Sequence, residues 1–261
     1  MAQRLLPSQE LRQRIIESGC YGNAENTRIY EKWFSSGPRY QFQAVDRKYG
    51  LADKVICDIG CGYGMNLVYT QPGSYGIEVD RYAADFARSI GLTIEERDFL
   101  HESVDDLPRV DAVWCSAVLE HVESVHVFLR KMALILKPEG LVVIFVPTIP
   151  LIPMLKHVPK LSRYTSGHLY SDHINAFTPS TLRFFCERAG FETLDVSPFM
   201  PSLLGLANHI PFLNRLVDGV TYVGRKVPDW EYPQGATRTA TSTGSGFVYR
   251  SWFEDGARRD A

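Results

Sequence analysis

The fold is decided by the stretch Val55-Ile-Cys-Asp-Ile-Gly-Cys-Gly-Tyr-Gly-Met-Asn66. Its apolar beginning is typical of a buried parallel strand, and glycines at 60, 62 and 64 follow directly before a helix-like run. Glycine is favoured where the backbone takes a positive φ or closely approaches a ligand, and the N–H groups at a helix start point towards such a ligand. The stretch therefore predicts a strand, a tight turn and a helix start that cradle a polar ligand.

The acidic residues near this turn indicate which ligand it holds. A dinucleotide fold carries Gly-x-Gly-x-x-Gly for a pyrophosphate, whereas here the glycines alternate and Asp58 stands two residues before the first of them. Twenty residues after Asp58, the run 74–78 ends in Glu78, where a neighbouring strand would present the carboxylate to a ribose. A carboxylate that accepts two ribose hydroxyls forms charge-assisted hydrogen bonds, each worth roughly 1.5–3 kcal/mol.

These two motifs, at 58–64 and 76–78, resemble those of the class I S-adenosylmethionine-dependent methyltransferases. The resemblance implies S-adenosylmethionine as the cofactor and S-adenosylhomocysteine as its product. It also places Asp98 at the adenine amino group with Phe99 beside the ring; the alternative is a turn aspartate that bonds its own backbone. The cofactor-binding residues that it implies are Asp58, Gly60, Cys61, Gly62, Gly64, Glu78, Val79, Asp98, Phe99 and Ser116.

The rest of the chain repeats a rhythm of strands and helices. Strands are expected at 92–95, 110–115, 141–146 and 191–196, with a final edge strand near 220–223, and helices at 81–90, 125–136 and 175–189. A short helix is also expected between Gly64 and Pro72. The fold class is therefore α/β, a Rossmann-like, doubly wound and mostly parallel seven-stranded sheet with helices on both faces.

Two short segments supply candidate catalytic residues. Residues just past the carboxyl ends of central parallel strands face the crevice of such a fold, which places Glu120 and His121 beside the reacting centre. His173 belongs to a second predicted crevice segment. In-line methyl transfer chiefly needs alignment, worth roughly 7–11 kcal/mol. A histidine base would accelerate transfer to a hydroxyl by a factor of about 10²–10⁴. We therefore expect Glu120, His121 and His173 to be catalytic, with a structural, hydrogen-bonded role as the alternative for each histidine.

A metal-assisted mechanism is a further alternative. Ubiquinone-type and small-RNA O-methyltransferases that share the Glu-His motif hold a divalent metal with Glu and His, and Glu120, His121 and His173 match that set. One turn before Glu120, where the RNA enzymes carry another carboxylate, this sequence has Ala117. Because one ligand is missing, we expect no metal and predict metal-independent transfer.

The composition of the chain indicates which partners and which cellular location to expect. The 261 residues are 45% hydrophobic, which suffices for a full core, and a net charge of -2 argues against a nucleic-acid partner. The sequence has five cysteines, an odd number, and we expect them to be reduced thiols in the core. Neither a secretory leader nor an apolar run long enough to span a membrane is recognised. A cytoplasmic location is expected.

The sequence also divides into predicted regions. An N-terminal helical cap is expected at 1–49, with packing of its aromatic residues on the sheet as the alternative. The methyltransferase domain follows at 50–227, and a flexible tail at 228–261. Proline-bearing apolar inserts at about 148–172 and 198–218 suggest an acceptor tunnel, a dimer face or a peripheral membrane contact, with core packing as the alternative. The sequence does not indicate an oligomeric state.

The predicted function is O-methylation of a small-molecule, sugar- or lipid-linked acceptor, and N-methylation stays open because no motif identifies the acceptor atom. The segment from His173 through Pro179 to Phe191 resembles a branch of the class that acts on small metabolites, glycans and quinone-like phenols. The alternative is a cofactor-binding partner subunit without transfer activity, because binding motifs do not establish turnover.

Overall fold

A computed structural model of the chain describes residues 38–148, 173–199 and 219–231. Several predicted features lie outside these ranges. They are the helices before Pro38, most of both apolar inserts, and the tail beyond Glu231.

Seven strands form one sheet in the order β3-β2-β1-β4-β5-β7-β6. They are β1 (Ile56–Ile59), β2 (Tyr75–Glu78), β3 (Ile94–Glu96), β4 (Val110–Ser116), β5 (Leu136–Pro147), β6 (Phe191–Phe199) and β7 (Gly219–Lys226). The first five strands pair in parallel, and β7 pairs antiparallel with both β5 and β6. The predicted mostly parallel, doubly wound sheet is confirmed.

The described residues include four α-helices: α1 (Pro38–Tyr49), α2 (Arg81–Ser89), α3 (Val125–Ile135) and α4 (Pro179–Arg188). Thr178 begins α4 with a capping box that it forms with Thr181, and Pro179 at the first helical position suits this start. No helix among the described residues is long and apolar enough to cross a membrane.

The helices lie on both faces of the sheet because the strand side chains alternate. On one face, Cys57 and Ile59 of β1 pack in the main core with apolar residues of α3 and α4. On the other face, Ile56 packs with Phe42 of α1 and with Trp114. The Phe42 and Trp114 rings are 5.2 Å apart, so this described part of the predicted N-terminal cap packs on the sheet.

The helix predicted directly after the glycine turn is wrong. The chain makes turns after Gly64 and then only a single 3₁₀ turn, Leu67–Tyr69, before Pro72. Proline disfavours a helical conformation in the residue before it, and the few residues that remain are too short to offset the cost of helix nucleation. The turn therefore has no α-helix start with which to hold a ligand.

Two further predictions about strands need correction. The last strand, β7, was predicted at the sheet edge, yet it lies between β5 and β6. Its residues Val220 and Tyr222 are completely buried, which suits an inner strand, and β6 forms the edge instead. Strand β5 also begins at Leu136, earlier than predicted, because Leu136 pairs with Val110 before a bulge shifts the register to Ala112 and Leu141.

Candidate active site

The glycine turn brings the end of β1 close to the loop after β4. Gly60 has φ 69°, and a Cβ atom built at this position would lie 2.3 Å from Cγ2 of Val118. Both the backbone conformation and the close approach therefore require glycine here. The amides of Gly60 and Cys61 donate to the carbonyl of Ile77, at 2.8 and 3.2 Å, which ties the turn to β2.

The Glu78 carboxylate is held by main-chain amides at the end of β2. One oxygen accepts from Gly62 N at 2.7 Å, and the other accepts from Val79 N and Asp80 N, both at 2.9 Å. The side chain is only 9% exposed. Three N–H donors fix the carboxylate in place, and an ionised carboxylate has further lone pairs with which it can accept hydroxyl groups.

A cavity of about 290 Å³ opens beside Glu78 at the carboxyl ends of β1, β2 and β3. The predicted site residues that line it are Gly60, Glu78, Val79, Asp98, Phe99 and His121. Most of the remaining wall is apolar with a few polar groups, an arrangement typical of a small-molecule site. Five of the ten predicted cofactor residues thus share one cavity with one predicted catalytic residue.

The other five predicted cofactor residues are not among the described residues that line this cavity; they are Asp58, Cys61, Gly62, Gly64 and Ser116. The Cys61 side chain packs into a small core with residues that include Leu67 and Ala84. Gly62 contributes its amide to Glu78. Their predicted contacts with the cofactor stay predictions.

Asp98 takes part in the turn that ends β3, as the alternative interpretation expects. One of its carboxylate oxygens accepts from Leu100 N at 2.9 Å and from His101 N at 3.1 Å. The other oxygen lies 2.7 Å from His101 Nδ1. Because Asp98 also lines the cavity, the turn role does not remove it from the site.

Several residues that line the cavity were not predicted as site residues from the sequence, namely Ile59, Ile77, Arg97, Leu100, His101, Val118, Val122, Glu123 and Phe128. The rule that loops after parallel strands face the crevice predicts some of them, since Leu100 and His101 follow β3 just as Glu120 follows β4. Phe128 lies inside α3, and no local pattern indicates that it reaches the cavity.

The three predicted catalytic residues meet beside the cavity. The His121 and His173 rings stand edge to face with centroids 4.6 Å apart. The Nε2 atoms of His121 and His173 lie 3.9 and 4.0 Å from the same oxygen of Glu120. Glu120 is almost completely buried, and burial raises the pKa of its carboxyl group. A buried carboxyl group therefore lies close to two imidazoles.

The turn that carries Glu120 is held by the segment after His173. The main-chain amides of Ile174 and Asn175 both donate to the Glu120 carbonyl at 2.9 Å. The Asn175 side chain donates to the carbonyls of Leu119 and Val122. Ala117, just before this turn, has φ 56°, a conformation that costs an alanine free energy. Contacts between distant parts of the chain thus keep the histidines together.

The carboxyl group of Asp58 has a raised pKa, which predicts how the stability of the protein depends on pH. It is 2% exposed, and burial raises its pKa to about 8, although Asn66 Nδ2 donates to it at 3.4 Å. The unfolded chain releases this proton near pH 4. Between pH 4 and 8 the folded protein holds more protons than the unfolded chain, so its stability falls as pH rises. We expect Asp58→Asn, which mimics the protonated acid, to stabilise the protein by roughly 1 kcal/mol or more at pH 9, and by a smaller amount at pH 5, which lies only about one unit above the pKa of the unfolded chain.

Thermal unfolding of both proteins from pH 5 to pH 9 measures this effect. Asp111→Asn is the matched control, because the hydrogen bond from Lys137 lowers the pKa of Asp111, opposite to the shift at Asp58. Its substitution should destabilise the protein at neutral pH. A stability gain for Asp58→Asn that is equal at pH 5 and pH 9 would contradict the assignment.

Comparison with known proteins agrees with this geometry. Residues 39–196, more than half of the chain, match a family model described as a methyltransferase domain. A ubiquinone biosynthesis O-methyltransferase from Rhodopseudomonas palustris (strain TIE-1) is 34% identical over 96 residues, which cover 34% of this chain and 38% of that relative. The chain therefore matches less than half the length of this relative.

Two solved structures are similar in fold. An S-adenosylmethionine-dependent methyltransferase from Mesorhizobium loti has a TM-score of 0.56 and 18% identity, over 75% of this chain and 100% of that one. A second, from Archaeoglobus fulgidus, has a TM-score of 0.56 and 19% identity, over 77% of this chain and 99% of that one. At these identities the likeness concerns the fold.

Proposed function

Since the chain belongs to the S-adenosylmethionine-dependent methyltransferase family, we propose that it methylates a hydroxyl group of a small-molecule, sugar- or lipid-linked acceptor. The observation that carries this proposal is one cavity with Glu78 and His121 on its wall. Glu78 suits the ribose of the cofactor, and His121 suits the proton of an acceptor hydroxyl.

The bound cofactor supplies a sulfonium methyl group that transfers by in-line displacement. The protein's main task is therefore to hold the acceptor oxygen in line with the methyl carbon and sulfur. Glu78 and the Asp98–His101 loop fix the adenosine half, and His121 takes the proton from the acceptor hydroxyl as the new bond forms. Glu120 lies 3.9 Å from His121 and stabilises the imidazolium that results.

The acceptor is proposed from two supporting observations. The relative with 34% identity is named a ubiquinone biosynthesis O-methyltransferase, which favours a phenol-type hydroxyl. Ile174, next to His173, is 61% exposed and offers apolar surface beside the candidate catalytic residues. A lipid-linked acceptor would suit such a surface. A cytoplasmic location and a peripheral membrane contact stay predictions.

The direct test is transfer of labelled methyl from S-adenosylmethionine into a cell extract, followed by separation into aqueous metabolites, polysaccharide, lipid and RNA. We expect label in lipid, in glycan or among soluble phenols. Label confined to RNA would contradict the proposed acceptor class. The absence of label from every fraction, while S-adenosylhomocysteine still binds, would favour the non-catalytic partner subunit.

A metal-assisted variant of the same transfer is a second candidate, favoured by the cluster of Glu120, His121 and His173. Their potential ligand atoms all lie within 4.8 Å of one another. The second carboxylate oxygen of Glu120 is buried, and among the described residues it has no hydrogen-bond partner. A carboxylate and two imidazoles fit a divalent ion that keeps several water ligands. Ala117 leaves the set one carboxylate short of the RNA-type enzymes, and metal-independent transfer remains the first proposal.

Treatment with EDTA separates the two candidates. For the histidine-base mechanism we expect activity to stay within about twofold of the untreated protein, since such a base alone supplies the proton-transfer step. Activity is measured as labelled methyl transfer before chelation, after chelation and after addition of Mg²⁺. Loss of activity with EDTA, followed by recovery with Mg²⁺, would establish the metal-assisted mechanism instead.

A further inference from the structure

Lys131 of α3 has its charged group buried in the protein. The residue is 5% exposed, although lysine is seldom buried without partners. Its ammonium group donates to three main-chain carbonyls: Phe99 O at 3.0 Å, Leu100 O at 2.6 Å and Glu102 O at 2.5 Å. A lysine has three N–H donors, and these carbonyls can accept from all three.

The three carbonyls belong to the loop that follows β3, which we call the adenosine loop (residues 98–102). Four of its residues, from Asp98 to His101, line the cavity beside Glu78. The loop is therefore attached to α3 directly behind the part that faces the predicted cofactor.

Two neighbouring contacts support the same loop. The ring of Phe128, one turn before Lys131 on α3, stands edge to face with that of Phe99 at 5.0 Å. Arg97 donates to the Ser103 carbonyl at 2.5 Å and pairs with Asp106 through two hydrogen bonds. Lys131 is the contact that gathers three carbonyl oxygens around one cation, and these oxygens would repel one another without its charge.

We propose that Lys131 is a positioning residue for the cofactor, which holds the adenosine loop in the conformation that binds the adenine ring. This inference rests on the proposed function and goes beyond it, because Lys131 itself does not line the cavity. Removing the ammonium would let the three carbonyls turn to water, and the cofactor would then have to order the loop on binding. Such ordering weakens affinity without changing the residues that touch the ligand.

The test compares Lys131→Met with Lys226→Met by calorimetric titration with S-adenosylhomocysteine. Methionine keeps most of the side-chain length and removes all three donors. Lys226 is a suitable control, because it is a partly buried lysine that donates to one carbonyl, Leu136 O at 2.8 Å, away from the cavity. We expect Lys131→Met to weaken binding by roughly tenfold or more, because the loop is no longer preorganised, and Lys226→Met to bind as the natural protein does.

Hydrogen exchange of amides 98–102, measured with and without S-adenosylhomocysteine, connects the loss of affinity with the order of this loop. We expect faster exchange there in Lys131→Met and suppression of the difference when S-adenosylhomocysteine is bound. If Lys131→Met does not fold, Lys131→Gln, which keeps an amide donor, is measured in the same way and should show a smaller loss of affinity. Equal affinity of the folded Lys131 variant and the natural protein would overturn the inference. Failure of the natural protein to bind S-adenosylhomocysteine would instead overturn the proposed function.

Discussion

Glu78→Ala should weaken the binding of S-adenosylhomocysteine at least about tenfold, because a charge-assisted hydrogen bond contributes roughly 1.5–3 kcal/mol. The carboxylate lines the cavity and is already held by the amides of Gly62, Val79 and Asp80. Alanine removes the ribose acceptor and also leaves these three donors without their partner. Both losses weaken binding, and titration calorimetry measures their sum.

A matched control distinguishes the ribose contact from loss of a nearby charge. Glu96 is the register partner of Glu78 on the neighbouring strand β3, and its carboxylate pairs with Arg88. We expect Glu96→Ala to bind the ligand normally. Glu78→Gln keeps the shape of the side chain and should give an intermediate affinity. Normal affinity in folded Glu78→Ala would show that the ribose binds elsewhere.

His121→Ala should lower the rate of methyl transfer by a factor of about 10²–10⁴, the usual contribution of a general base. The cofactor affinity should change little, because the predicted ribose and adenine contacts lie at Glu78 and Asp98. His121 lines the cavity, whereas His173 is not among the described residues that line it. The centroids of the two rings are 4.6 Å apart. We therefore expect His173→Ala to reduce the rate less than His121→Ala does.

The rate is measured as labelled methyl transfer to the acceptor fraction. His126→Ala is the control, because His126 lies on α3 outside the cavity lining. A rate unchanged in His121→Ala would exclude this residue as the base. If His121→Ala and His173→Ala lose the same rate, and this loss depends on Mg²⁺, the metal-assisted candidate would be favoured.

The glycine turn and the acidic end of β2 could be predicted because their signals are local. The turn after β1 needs glycine at a positive φ, and Gly60 shows this in the structure. The carboxylate of Glu78 stands at the end of the next strand, where the spacing from Asp58 predicts it. The periodic apolar runs likewise indicate each strand and most helices. Backbone conformation and burial on both faces of a strand leave their marks in a few consecutive residues.

The incorrect predictions concern the position of a strand in the sheet and a helix, which the local residue pattern alone does not decide. Val220 to Val223 is apolar in any position in the sheet, and only its pairing with both β5 and β6 makes it an inner strand. The helix expected after Gly64 failed because the tertiary turn and Pro72 leave too little chain for it.

The sequence by itself therefore determined the fold class, the glycine turn and the placement of Glu78 and His121 at strand ends. Only the tertiary structure brought His173 to within 4.0 Å of Glu120, across a long stretch of chain, and directed Lys131 towards the adenosine loop. The physical reason is the range of the interactions. Local conformation depends on neighbouring residues, whereas a shared carboxylate or a buried ammonium depends on elements that meet only after the sheet has assembled.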